Sequence, residues 1–157
     1  PTEIYTLSLH DALPIFPVPT EVNMSAVWLK RYGLALAVFL VLDAVWLGVV
    51  ARTFYRQQIG FLLAEFPNWY AAGVFYLLFI AGLVHFVVSP AAREGAPGRA
   101  VLRGAFFGLV TYATYDLTNL ATMARWPLAV TLVDLAWGAA VAAATAYLSV
   151  RFGPRNG

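Results

Sequence analysis

The stretch GLALAVFLVLDAVWLGVVA, residues 33–51, decides the fold of this chain. Its only ionisable side chain is Asp43. Its length is close to the roughly 20 residues that an α-helix needs to cross a bilayer. Because backbone groups in lipid must hydrogen-bond within their own segment, such an apolar run predicts a membrane-spanning helix.

Three further runs of similar length follow along the chain. We therefore predict an all-α polytopic membrane protein, with four transmembrane helices in an antiparallel bundle. The spans are expected at about 33–51, 69–88, 101–123 and 128–150.

The composition supports a membrane protein and excludes several classes of site. The chain is 61% hydrophobic and 11% charged, whereas soluble domains are roughly 25% charged. It has no cysteine and two histidines, so we expect neither a metal site nor a cofactor. A net charge of +2 does not suggest nucleic-acid binding. The expected partner is the lipid bilayer, with a second copy or another membrane protein as further partners.

Residues 1–23, PTEIYTLSLHDALPIFPVPTEVN, differ from everything that follows. They lack the basic and apolar regions of a signal peptide. The string TEIYTLSLHDALPI resembles a translated sequencing-adapter read, so we interpret this segment as an artefact or, alternatively, as a poorly ordered tail. Residues 24–157 are then expected to form a single four-helix transmembrane domain.

The basic residues predict the orientation of the bundle. Cytoplasmic loops of membrane proteins carry an excess of Lys and Arg. Seven basic residues flank one side of the predicted bundle and three flank the other, so we predict a multi-pass membrane protein with both termini cytoplasmic. The seven are Lys30, Arg31, Arg93, Arg99, Arg103, Arg151 and Arg155, and the three are Arg52, Arg56 and Arg125.

The connection between the first two spans, residues 52–68, is more than a plain loop. Its apolar residues recur at helical spacing, which predicts a helix lying in the membrane interface. The alternative is that the first span continues as a helix beyond the membrane. The apolar residues in question are Phe54, Tyr55, Ile59, Leu62, Leu63 and Phe66.

Three aspartates lie inside the predicted spans: Asp43, Asp116 and Asp134. Only residues 124–127 separate the third and fourth spans, so these helices must form a tight antiparallel hairpin. Asp116 and Asp134 should therefore lie at a similar depth, with Asp43 below them. Carboxyl groups at this depth are costly and usually mark functional sites.

Other polar residues share helix faces with these acids. Tyr112 and Asn119 lie on the Asp116 face, and Thr131 lies three residues before Asp134. Since no basic side chain is expected at that depth, we expect at least one acid to hold a proton. The alternative is that the acids only hydrogen-bond neighbouring helices together. The predicted intramembrane polar site is Asp43, Tyr112, Asp116, Asn119, Thr131 and Asp134.

Small residues mark one face of each of the last two spans. Gly104 and Gly108 form a GxxxG motif, and Gly138, Ala142 and Ala146 follow helical spacing. Both patterns favour close approach between helices.

Several strings resemble a family of small bacterial membrane proteins, domain-of-unknown-function family 2177. They include LDAVWLGVVARTFYRQQIGFLL, NWYAAGVFYLLFIAGLVHFVVSPA, GAFFGLVTYATYDLTNLATMARWPL and TLVDLAWG. The resemblance covers about residues 30–150 and excludes the segment before Met24. The resemblance implies a four-span protein of the bacterial inner membrane, and it supplies no activity or catalytic residues.

Three function classes fit these observations. The first is a small membrane protein whose acidic intramembrane site handles protons or a small solute. The second is a membrane enzyme or accessory subunit in lipid modification, for which residues 53–66 would provide lipid access. The third is a structural or interaction protein. Since no recognised catalytic motif occurs in the sequence, an enzyme is the less favoured interpretation.

Overall fold

The computed structural model describes residues 24–154, and every regular element in that range is helical. The predictions for residues 1–23 lie outside the described residues. In chain order the elements are α1 (Met24–Val45), a first π-helical segment (Trp46–Ala51), α2 (Arg52–Ile59), α3 (Trp69–Leu83), a second π-helical segment (Val84–Val88), α4 (Ser89–Arg93), α5 (Pro97–Thr122) and α6 (Leu128–Phe152).

Three helical stretches are long and apolar enough to cross a membrane: Ser25–Val49, Trp69–Arg93 and Leu128–Phe152. They confirm the membrane-spanning character predicted for the first, second and fourth apolar runs. The third run forms α5, which is also long. Its threonines, tyrosines and charged residues lower its apolarity, so among the described helices α5 is not one of the three.

The connection after the first apolar run differs in part from the predicted interfacial helix. Helical backbone continues from α1 through the first π-helical segment and ends with α2 at Ile59. Residues 60–68 form turns and bends, and they are exposed. Gly60 explains the end of the helix at Ile59, because glycine weakens helices. Pro67 disfavours helical backbone only at the residue before it, Phe66.

Helices α5 and α6 are in backbone contact. A Cβ atom added to Gly108 would lie 2.0 Å from the Gly138 carbonyl oxygen, and one added to Gly104 would lie 2.8 Å from the Ala142 carbonyl oxygen. The small-residue pattern in the sequence therefore marks a real close approach between these two helices.

The first two long helical stretches complete the core against α6. Phe39, Ile80, Leu83 and Val84 are fully buried in one apolar cluster with Ala142. This cluster holds α1 and α3 against the α5–α6 pair. Four helices therefore pack around one core.

A second, smaller cluster fixes α2 against the turn between α5 and α6. It contains Ile59, Trp126 and Val130, and Tyr55 packs against it. The guanidinium carbon of Arg125 lies 4.4 Å from the centre of the Phe61 ring, a cation–π distance. These contacts fix the position of α2 against the α5–α6 turn, and with it the position of the Tyr55 side chain.

At the opposite end, Glu94 joins the turn after α4 to the first turns of α5. Its carboxylate accepts hydrogen bonds from Arg99 at 2.9 Å and Arg103 at 3.1 Å. These two bonds hold the pKa of Glu94 below its usual value. Gly95 follows with φ +62°, a left-handed conformation that favours glycine.

The close α5–α6 contact predicts that Gly108→Ala destabilises the protein. The added methyl group meets backbone that cannot move aside cheaply, and overpacking of this kind costs about 1–3 kcal/mol. Thermal unfolding in detergent should show a lower Tm.

Gly73→Ala is the matched control, because a Cβ on this α3 residue has no neighbour within 4 Å. Alanine favours helix over glycine, so its Tm should stay unchanged or rise. Equal Tm values for Gly108→Ala and the natural chain would contradict the backbone contact.

Candidate functional site

A cavity of about 290 Å³ lies between α1, α3, α5 and α6, and α2 contributes Tyr55 to its wall. Its wall combines three carboxyl groups with aromatic rings. The lining residues are Asp43, Trp46, Leu47, Tyr55, Phe75, Tyr76, Thr111, Tyr112, Tyr115, Asp116, Asp134 and Trp137.

Asp43 is buried and fully hydrogen-bonded. The Tyr76 hydroxyl donates to its Oδ2 at 2.6 Å, and the Trp137 Nε1–H group donates to its Oδ1 at 3.4 Å. Both oxygens therefore have a donor, as buried carboxyl groups require. Asp43 thereby links α1 to α3 and α6.

Two stacked indoles form one wall of the cavity. The rings of Trp46 and Trp137 are nearly parallel, with centres 4.4 Å apart and an interplanar angle of 7°. Trp46 begins the first π-helical segment, a type of helix distortion that is frequent at functional sites. The stack holds the Trp137 indole beside Asp43.

Asp134 accepts a hydrogen bond at Oδ1 from the Tyr55 hydroxyl. Tyr55 reaches α6 from α2 because the cluster around Ile59 and Trp126 holds α2 over the helix pair. This bond holds the Tyr55 side chain in the wall of the cavity.

Asp116 is fully buried, yet neither of its oxygens meets a hydrogen-bond donor among the described residues. The carboxyl group of Asp134 lines the same cavity. A hydrogen bond between two carboxyl groups requires that one of them hold a proton.

The glycine contact explains why Asp116 is buried. Gly104, Gly108, Tyr112 and Asp116 recur at every fourth position of α5 and so lie along one face. The two glycines bring this face against α6. Tyr112 and Asp116 lie on this same face of α5, so they also face α6, which contains Asp134.

Four of the six residues in the predicted polar site line the cavity: Asp43, Tyr112, Asp116 and Asp134. Thr131 is buried elsewhere, where its hydroxyl accepts a hydrogen bond from Trp126 Nε1 at 3.1 Å. Asn119 also lies outside the lining. It occupies the last turn of α5, where its backbone carbonyl accepts from Met123.

Several lining residues were not predicted from the sequence. Tyr55 was assigned to the apolar face of an interfacial helix, and Tyr76 had no partner that a sequence pattern could show. For Trp46 and Trp137, one sequence pattern indicates a position near a carboxyl group. Each follows an aspartate by three residues, in LDAVW (42–46) and VDLAW (133–137).

Among the residues that the structure describes, no lysine or arginine lines the cavity. Buried carboxylates without a paired cation are costly, and the donors found here satisfy Asp43 and one oxygen of Asp134 only. The arrangement can therefore hold a proton between Asp116 and Asp134, or a cation in its place.

Comparison with known proteins identifies one family. The model of a family described as "Predicted membrane protein (DUF2177)" matches residues 28–151. Neither the curated proteins nor the solved structures contain a match to this chain.

The hydrogen bonds of Asp43 predict that Tyr76→Phe destabilises the protein. The change removes the 2.6 Å donor and leaves one carboxyl oxygen unsatisfied, which costs about 1–3 kcal/mol. Tyr70→Phe is the control, since Tyr70 is on the same helix and 91% exposed. Unfolding in detergent should show a lower Tm for Tyr76→Phe alone, and matching Tm values would contradict the assigned role.

Proposed function

The chain belongs to the DUF2177 family of predicted membrane proteins, and from that premise we propose a specific role for its acidic cavity. We propose that it is a four-span protein of the bacterial inner membrane that carries protons through this cavity, where a small solute also binds. One observation carries the proposal: Asp116 is fully buried in the cavity that Asp134 also lines, and no donor among residues 24–154 reaches its oxygens.

A carboxyl group with these surroundings suits proton exchange. A purely structural acid would be satisfied by neighbouring donors, as Asp43 is by Tyr76 and Trp137. Asp116 has no such donor, so its charge must be neutralised by a proton or by a bound cation. Intramembrane acids of this kind commonly form proton relays.

The four-span arrangement requires that α5 also cross the membrane. Its 26 residues correspond to about 39 Å at 1.5 Å per residue, which exceeds the roughly 30 Å hydrocarbon core. Its threonine hydroxyls donate to carbonyl groups one turn earlier, which lowers the cost of placing them in lipid. These bonds are Thr111 to Phe107 (2.9 Å), Thr114 to Val110 (2.8 Å), Thr118 to Thr114 (2.5 Å) and Thr122 to Thr118 (2.7 Å).

The small-residue faces give less support to an interaction protein. Gly104, Gly108 and Gly138 already serve the contact between α5 and α6 within the chain. They are therefore not available to bind another membrane helix, and the polar cavity remains the feature that needs a function.

Four spans with cytoplasmic termini predict a specific reporter pattern. Fusions after residue 157 and within residues 91–100 should report a cytoplasmic location, because the basic residues cluster there. A fusion within residues 124–127 should report the opposite side. A cytoplasmic signal from the 124–127 fusion would contradict α5 as a span.

The role in proton movement is tested in liposomes of phosphatidylethanolamine and phosphatidylglycerol that contain a pH-sensitive dye. After an external pH jump, the natural chain should equilibrate the interior faster than empty liposomes do. Asp116→Asn keeps the side-chain shape and removes the proton-binding group, so its rate should fall to the empty-liposome rate.

Glu65→Gln is the control, because Glu65 is an exposed acid in the loop after α2. It should equilibrate as fast as the natural chain. Equal rates for Asp116→Asn and the natural chain, or for the natural chain and empty liposomes, would contradict the proposed function.

A further inference from the structure

We infer that the solute of this cavity is a small organic cation whose ammonium group takes the place of the proton beside Asp116. This inference rests on the proposed function and adds the chemical class of the ligand. It stands on the charge, the lining and the volume of the cavity.

The charge of the wall selects for a cation. Three carboxyl groups line the cavity and no basic side chain does, so an anion would be repelled. Asp43 has a donor on each oxygen, and Asp134 has Tyr55 on one. Asp116 has no donor among the described residues, so its carboxylate charge is left to pair with an ammonium group.

The remaining wall selects an organic cation over a metal ion. Hard metal ions need six or more oxygen ligands for Ca²⁺ and near-octahedral oxygen geometry for Mg²⁺. Among the described residues, no group of three or more His, Cys, Asp and Glu side chains is arranged to hold a metal. Aromatic rings instead attract ammonium groups and cover their alkyl substituents. The rings that line the cavity are those of Trp46, Tyr55, Phe75, Tyr76, Tyr112, Tyr115 and Trp137.

The volume limits the size of the ligand. About 290 Å³ is at the lower limit of the range for small-molecule pockets, which runs from roughly 300 to 1,000 Å³. An ammonium group with a few carbon atoms fits this space, whereas a drug-sized ligand does not.

Binding would exchange one positive charge for another. As the ammonium enters, the O–H bond of the protonated carboxyl group breaks and its proton passes to water or buffer, while the ammonium forms no covalent bond with the protein. The other titratable groups that line the cavity are Asp43 of α1, Tyr55 of α2, Tyr76 of α3, and Tyr112 and Tyr115 of α5. Because protons and ligand compete for the same carboxyl groups, affinity should fall as pH is lowered.

Choline and its uncharged isostere, 3,3-dimethyl-1-butanol, test the inference in the purified full chain. Quenching of tryptophan fluorescence reports binding, since Trp46 and Trp137 form part of the wall. Choline should bind at least tenfold more tightly than the isostere, and more tightly at pH 8 than at pH 6. Calorimetry in two buffers of different ionisation enthalpy should show release of about one proton.

Asp116→Asn should weaken choline binding at least tenfold, while Glu65→Gln should bind as the natural chain does. If Asp116→Asn does not fold, the comparison of choline with its isostere in the natural chain decides alone. Equal affinity for the two ligands would overturn the inference. The inference would also be overturned if none of tetramethylammonium, choline and tetraethylammonium binds at 10 mM. In that case, Asp116-dependent proton movement in liposomes would still support the proposed function.

Discussion

The contact between the backbones of Gly108 and Gly138 determines most of the candidate site. It brings one face of α5 so close to α6 that no side chain fits between the helices at this level. The residues four and eight positions after Gly108 are Tyr112 and Asp116, and they lie on the same face. A larger residue at position 108 would move the helices apart and change the distance between Asp116 and Asp134.

The three acids of the cavity have different surroundings, and the difference suggests different roles. Asp43 has two donors and joins three helices, so it acts as a structural anchor. Asp134 has one donor, from α2. Asp116 has none and depends on a proton or a bound cation for neutralisation. The cavity thus contains one buried acid, Asp43, whose two oxygens each accept a hydrogen bond, and another, Asp116, whose oxygens accept none from the described residues.

Much of this arrangement could be predicted from local sequence. The apolar runs predict the long helices. The short connection at residues 124–127 predicts the α5–α6 hairpin, and the GxxxG motif predicts its close packing. Asp116 and Asp134 could be paired because a short turn fixes their relative depth. Asn119 and Thr131 could not be excluded, since helical spacing gives a face but not the position at which a helix ends or a competing donor such as Trp126.

The remaining contacts depend on tertiary packing that the sequence pattern does not encode. Tyr55 and Tyr76 reach their acids from helices that are distant in sequence. The π-helical segment after α1 changes the direction in which later side chains point, so a regular helical wheel misplaces them. The helix ends at Ile59, before Gly60, although the apolar periodicity of the sequence continues to Phe66.

The account depends most directly on the state of the Asp116 carboxyl group. Infrared difference spectroscopy of the protein in lipid at pH 7 measures it, because a protonated carboxyl group has a C=O stretch that a carboxylate lacks. With no cationic ligand present, the natural chain and Glu65→Gln should both show this band, and Asp116→Asn should lack it. A natural chain without the band, or a band that persists unchanged in Asp116→Asn, would contradict the account.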